Sequence, residues 1–314
     1  MNSNNLNKNK VLITGASGFI GSKLLKALES QNYDIKILSR SYENTINGHS
    51  VEKFNLSSQN YDKLDLSDVD IIFHLAGIAH DTSNSKYTEN DYEQINYLST
   101  IYLAQHAIKN NVNKFIFLSS VKATGYEDTY DGQDENSTVP PNSFYGKSKQ
   151  KAEIKLMEIC KNSNMFLCIL RSPLVYGPGV KGNLNSMRKA IKYNWFPPLP
   201  NLSNKRSLIH VDDVVRALIF VTNNQSCNLN IFNITDGKIY TTKDIYVSIA
   251  NAIGKNIPRY SIPIYFFLIL KYIFPKFKSI YNKLFGNEYY SSKKINSVGF
   301  IAEKNLGQFD ETDF

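Results

Sequence analysis

Cysteine is scarce in this sequence. There are three, Cys160, Cys168 and Cys227, and no C-x-x-C pair. That excludes a disulfide framework and a zinc ribbon, and it fits a reducing compartment. No set of His, Cys and carboxylates has the spacing of metal ligands. Long apolar runs are missing too. The nearest approach to the ~18 residues of a spanning helix is 262–275, which Lys271, Pro263 and Pro275 interrupt. Residues 1–9 are rich in Asn and Lys, without the apolar core of a signal peptide, so a floppy tail and a cytoplasmic location are expected. The lysines are scattered rather than blocked, and no nucleic-acid-reading motif is present, so nucleic acid is not an expected partner. Repeats are absent as well.

What is present is an ordinary globular composition. Hydrophobic residues make up 42% and charged residues 20% of 314, enough chain for about two domains. The net charge of +8 admits an anionic partner, whether nucleic acid, lipid or small substrate, without choosing among them.

Short apolar runs alternate with helical patterns, which predicts βαβ units and a doubly wound parallel sheet of the Rossmann kind. Strands are expected at 11–14, 35–39, 51–56, 71–75, 114–119 and 165–171. Helices are expected at 19–29, 91–110 and 143–162. Prolines 173, 178, 197, 198 and 200 then mark a change. A dinucleotide-binding domain is expected over 10–172 and a smaller substrate-binding region over 173–314. Residues 208–234 would return to the first domain, through a helix at 211–222 and a strand at 230–234. A further helix is expected at 242–253.

The first strand runs into Gly15-Ala-Ser17-Gly18-Phe19-Ile20-Gly21. Glycines there permit a tight turn and bring backbone N–H groups up to a pyrophosphate, at the positive end of a helix. The second strand ends Leu38-Ser39-Arg40, without the carboxylate that binds the ribose of NAD. Arg40 could pair with the 2′-phosphate of NADP instead. Asn55, with Leu56, is placed to meet an adenine edge.

Tyr145 and Lys149 stand four apart at the start of a helical pattern, so they share one face. A phenol is a poor base at neutral pH, and a nearby ammonium is expected to lower its pKa into use. Ser120, at the end of the fifth strand, can bond the reacting oxygen. His74 reads as a structural histidine, and Cys160 and Cys168 as core.

These residues, with His74-Leu75-Ala76-Gly77, Asn96, Arg171-Ser-Pro-Leu-Val-Tyr-Gly-Pro-Gly179, Gly182-Asn183 and Arg206-Ser-Leu-Ile-His-Val-Asp-Asp213, carry a resemblance. The chain resembles the extended short-chain dehydrogenase/reductase superfamily, and within it the nucleotide-sugar epimerases of the UDP-glucose 4-epimerase type. The resemblance implies Tyr145 as acid/base, Lys149 on the nicotinamide ribose, and Ser120 on the reacting hydroxyl. It implies NAD or NADP held by the glycine turn, Leu75, Ala76, Gly77, Asn96, Tyr145 and Lys149. It places a UDP-sugar on Ser120, Lys122, Asn183 and Arg206, and it implies a homodimer. Val121 and Lys122 stand where dehydratases carry an Asp-Glu pair, which argues against water elimination. Three readings follow: an epimerase at carbon 4 using NAD, an NADPH-dependent 4-ketoreductase of a UDP-4-keto-6-deoxy-hexosamine, and a cofactor-sensing protein without turnover. The stretch 265–285 reads either as packing onto the substrate region or as an interfacial membrane helix.

Overall fold

The computed structural model describes residues 9–40, 45–46, 48–58, 60–78 and 87–309. The expected tail lies outside them, Asn9 excepted. Ten strands lie among the described residues: β1 (Lys10–Thr14), β2 (Asp34–Ser39), β3 (Thr45–Ile46), β4 (His49–Lys53), β5 (Ile71–His74), β6 (Lys114–Ser120), β7 (Phe166–Ser172), β8 (Leu174–Tyr176), β9 (Leu208–His210) and β10 (Asn230–Asn233). The helices are α1 (Phe19–Ser30), α2 (Glu89–Tyr92), α3 (Ser99–Lys109), α4 (Phe144–Lys161), α5 (Asn183–Lys192), α6 (Val211–Thr222), α7 (Thr242–Ala252), α8 (Ile264–Ile273), α9 (Pro275–Phe285) and α10 (Lys293–Ser297).

Chain contacts divide the protein into two units. The first takes in the chain to Gly125, Thr138–Ser172 and Val214–Phe232. Its eight-stranded sheet has the order β10-β7-β6-β5-β1-β2-β4-β3. The pairs from β7 through β1 to β4 are parallel, and the edge pair β3–β4 is antiparallel. This is the doubly wound sheet that the alternation predicts. Its central strands are buried on both faces, Val11, Leu12 and Ile13 completely, which is why they read as unbroken apolar runs. The chain order reverses between β1 and β5, and ligands of such sheets bind beyond the strand carboxyl ends at that point.

The second unit comprises Tyr126–Ser137, Pro173–Asp213 and the chain from Asn233. It holds the parallel pair β8–β9, with Tyr176 opposite His210.

Several boundaries differ from expectation. The third strand stops at Lys53, because Asn55 folds its side chain onto the Ser57 N–H (3.2 Å) and turns the chain. Asn55 and Leu56 therefore lie in a turn. The helix expected over 91–110 begins at Glu89, behind a capping box of Thr88 and Asp91, and is interrupted by a π-helical stretch at Glu93–Leu98. Strands β3 and β8 and helices α5 and α10 were not expected. They are short or sit among prolines and glycines. Pro275 divides the 265–285 stretch into α8 and α9.

Candidate active site

In the first unit the glycine turn leaves β1 and enters α1. A Cβ on Gly21 would stand 2.1 Å from the Gly15 carbonyl oxygen, so only glycine lets helix and turn close up. No side chain caps α1, which leaves the first-turn N–H groups of Phe19 and Ile20 for an anion. The turn is thus shaped for a dinucleotide pyrophosphate. Leu75, Ala76 and Gly77 follow β5, the neighbour of β1. Arg40 is exposed one residue beyond β2, whose Leu38 pairs with Thr14.

A buried hydrogen-bond chain ties these loops together. The Ala76 N–H donates to Thr14 Oγ1 (3.1 Å), and Thr14 Oγ1 lies 2.7 Å from His74 Nδ1. His74 Nε2 lies 2.8 Å from Thr100 Oγ1, whose hydroxyl donates to the Asn96 carbonyl (2.8 Å). Thr100 must then accept, so the His74 proton sits on Nε2 and Nδ1 accepts from Thr14. Burial holds His74 neutral, with its pKa pushed down to about 3. The Asn96 side chain accepts from the Ile78 N–H (2.7 Å) and donates to the Ile78 carbonyl (3.1 Å) and to Ser148 Oγ (3.2 Å). Asn96 therefore fixes the loop after β5 and grips α4 together. It lies within the π-helical stretch, fully buried.

Ser143 caps α4 by accepting from the Gly146 N–H (3.1 Å). A Cβ on Gly146 would stand 2.2 Å from the Lys122 carbonyl, so this glycine lets α4 press on the turn after β6. That turn carries Ser120, whose Oγ accepts from the Lys122 N–H (3.2 Å) and whose hydroxyl bonds Tyr145. Ser120, Tyr145 and Lys149 are thus assembled at the carboxyl end of β6. Tyr92 meets the Tyr145 ring edge-on at 6.3 Å. The Lys149 ammonium donates to the Leu118 carbonyl (3.0 Å) and lies 4.4 Å from the centre of the Phe117 ring.

The expected lowering of the Tyr145 pKa is not what this arrangement gives. Burial dominates and pushes the hydroxyl up to about 12, with the Ser120 hydrogen bond pulling the other way and Tyr92 and Glu153 adding to the rise. Burial also pushes Lys149 down to about 8, against the pull of Glu153. A positive charge brought beside the phenol, such as an oxidised nicotinamide ring, would favour the phenolate.

Glu153 is the residue that sequence reasoning missed. It lies one further turn along α4 from Lys149 and is almost fully buried. Arg171 of β7 grips it, Nη2 to Oε2 at 2.6 Å and Nε to both oxygens at 3.1 Å, and the Ser119 hydroxyl donates to Oε1. The i, i+4, i+8 spacing of Tyr145, Lys149 and Glu153 was the available signal.

In the second unit Asn183 opens α5 after Gly182. Arg206 lies just before β9. Its Nη1 donates to the Gly286 carbonyl (3.3 Å) and lies 3.4 Å from Glu288 Oε2. That carboxylate partner was also not foreseen. Among the described residues no group of His, Cys, Asp and Glu could hold a metal.

Residues 11–235 match the model of the NAD dependent epimerase/dehydratase family. The UDP-glucose 4-epimerase of Vibrio cholerae is 30% identical over 283 residues, 88% of this chain and 85% of that relative. An N-acetyl-alpha-D-glucosaminyl-diphospho-ditrans,octacis-undecaprenol 4-epimerase of Escherichia coli O157:H7 is 25% identical, over 95% of this chain and 92% of its own length. Among solved structures, the UDP-glucose 4-epimerase of Thermotoga maritima with UDP-glucose superposes with a TM-score of 0.80, 20% identity and 97% of each chain covered.

Proposed function

We propose that this chain, which belongs to the NAD dependent epimerase/dehydratase family, inverts carbon 4 of a sugar carried on UDP, by way of the 4-keto sugar. The observation that carries this reading is the hydrogen-bonded Ser120–Tyr145 pair with Lys149 one turn along the same helix. A nicotinamide dinucleotide bound on the glycine turn would supply hydride uptake from carbon 4 and its return. Tyr145 would take the proton of the 4-hydroxyl and give it back after the keto sugar has turned over. Ser120 would hold that oxygen in line. Lys149 would orient the dinucleotide's ribose. Arg206 and Asn183 would hold the diphosphate, for which a planar guanidinium fork is suited. The Glu288 carboxylate would have to yield part of Arg206 on binding.

Arg40 favours a second reading, an NADPH-dependent 4-ketoreductase using the same residues for half of the cycle. The nucleotide released from the purified, denatured protein separates the two. Stoichiometric NAD supports the epimerase. An empty site that takes NADPH and not NADH supports the reductase. The intact Ser120, Tyr145 and Lys149 speak against a protein that only senses cofactor. Tyr145→Phe tests the site itself: kcat is expected to fall by about 100-fold or more with dinucleotide still bound. Unchanged turnover would remove Tyr145 from the chemistry.

A further inference from the structure

Helix α8 reads Ile-Tyr-Phe-Phe-Leu-Ile-Leu-Lys-Tyr-Ile. A helix apolar all round is normally buried. This one buries Phe267, against Phe285 at 5.1 Å, and turns most of the rest to solvent. Tyr272 is 93% exposed, Tyr265 74% and Ile269 56%, and Phe266, Leu268 and Ile273 join them. At ~15 Å the helix is half the thickness of a bilayer core, and no described helix is long and apolar enough to cross a membrane.

Charge says what would cover this face. From residue 245 to 287 the chain has six lysines and arginines and no aspartate or glutamate. Arg259 and Lys278 are exposed, and Lys271 lies 4.3 Å from the centre of the Tyr281 ring on α9. A second copy seated on the same face would set the cations of this stretch against one another, with no acid within the stretch itself to pair them. The chain's single tryptophan belongs to the same unit. Trp195 is 78% exposed beside Tyr193, and its neighbours are tied to the approach to α8 by Lys255 Nζ to Asn194 Oδ1 (3.4 Å) and Ile262 N to the Pro198 carbonyl (3.2 Å). Exposed aromatics with a cationic fringe are the composition of an interfacial helix.

We propose that α8 seats this protein on an anionic phospholipid bilayer, its apolar side chains in the headgroup boundary and the surrounding lysines and arginines on the lipid phosphates. The inference is independent of the reaction catalysed.

The full-length protein would be sedimented with vesicles of phosphatidylcholine containing phosphatidylglycerol, and with phosphatidylcholine alone. Binding is expected to the anionic vesicles, to weaken in high salt, and to shift Trp195 emission to the blue. The double variant Ile269→Glu, Ile273→Glu changes exposed positions. It is expected to lose binding by about tenfold or more, with an unchanged thermal melt. No binding to anionic vesicles overturns the proposal, as does binding that the double variant leaves intact. A wild-type dimer that the double variant splits to monomers would assign the face to a second copy and overturn it as well.

Discussion

Helices α4 and α8 break the same rule in opposite directions. In the first unit α4 is polar by composition, yet it carries Lys149 and Glu153 inward to full burial. In the second unit α8 is apolar by composition, yet it holds its side chains in solvent. Buried charge and exposed hydrocarbon are the two informative departures from ordinary patterning. On α4 the departure is compensated. Arg171 and Ser119 satisfy Glu153, and the Leu118 carbonyl and Phe117 ring receive the Lys149 ammonium. On α8 no such compensation is built into the helix itself, beyond Phe267. An unstabilised apolar surface gains by finding a cover. Substitutions on the two helices should therefore have unequal consequences for folding.

The largest effect is expected at Glu153. Glu153→Ala leaves the Arg171 guanidinium buried without its carboxylate, a change that costs ~3–5 kcal/mol. Urea denaturation at neutral pH measures it. A loss below ~1 kcal/mol would mean that water reaches Arg171 and that the pair is not the anchor of α4.

Lys149 gives a smaller effect with a definite sign. Burial lowers its folded pKa to about 8 from the ordinary 10.5. Between those values the unfolded chain binds the extra proton, so stability rises as pH rises through the window. Below pH 8 the full cost of the buried ammonium is present. Lys149→Met has no such titration. The stability of the wild type minus that of Lys149→Met should therefore climb by about 3 kcal/mol from pH 8 to pH 10.5 in the absence of cofactor. A flat difference would place the ammonium in contact with water.

Much of the first unit was legible because its signals are local. The glycine turn lies between a strand and a helix in sequence, and Tyr145 and Lys149 are one turn apart. What escaped was whatever depends on packing. Glu153 meets Arg171 only because α4 lies over β7. The proton arrangement at His74 requires Thr14, Thr100 and Asn96 from three separate elements. The Tyr145 shift runs opposite to the spacing-based expectation for the same reason. Spacing shows the ammonium nearby but not how deeply the phenol is buried. In the second unit, β8 and α5 are short pieces among prolines and glycines, where periodicity has too few residues to register. The aromatic and lysine stretch was visible as amphipathic, but whether its apolar side faces protein or solvent is settled by tertiary structure alone.

The smallest expected effect is the one that completes the contrast. Ile269→Ser removes an exposed apolar side chain from the middle of α8 and leaves Phe267 in place. A surface change away from caps and buried partners shifts stability by less than ~0.5 kcal/mol. Replacing isoleucine by serine has little effect on helix propensity, since the two rank close together. The urea midpoint should thus stay put, while Glu153→Ala moves it by several times as much. If Ile269→Ser instead destabilises the chain by ~2 kcal/mol or more, the residue is packed in solution, and α8 is part of the core rather than a surface. If the midpoint holds, the hydrocarbon on α8 contributes nothing to folding, and its presence there has to be explained by what it touches outside the chain.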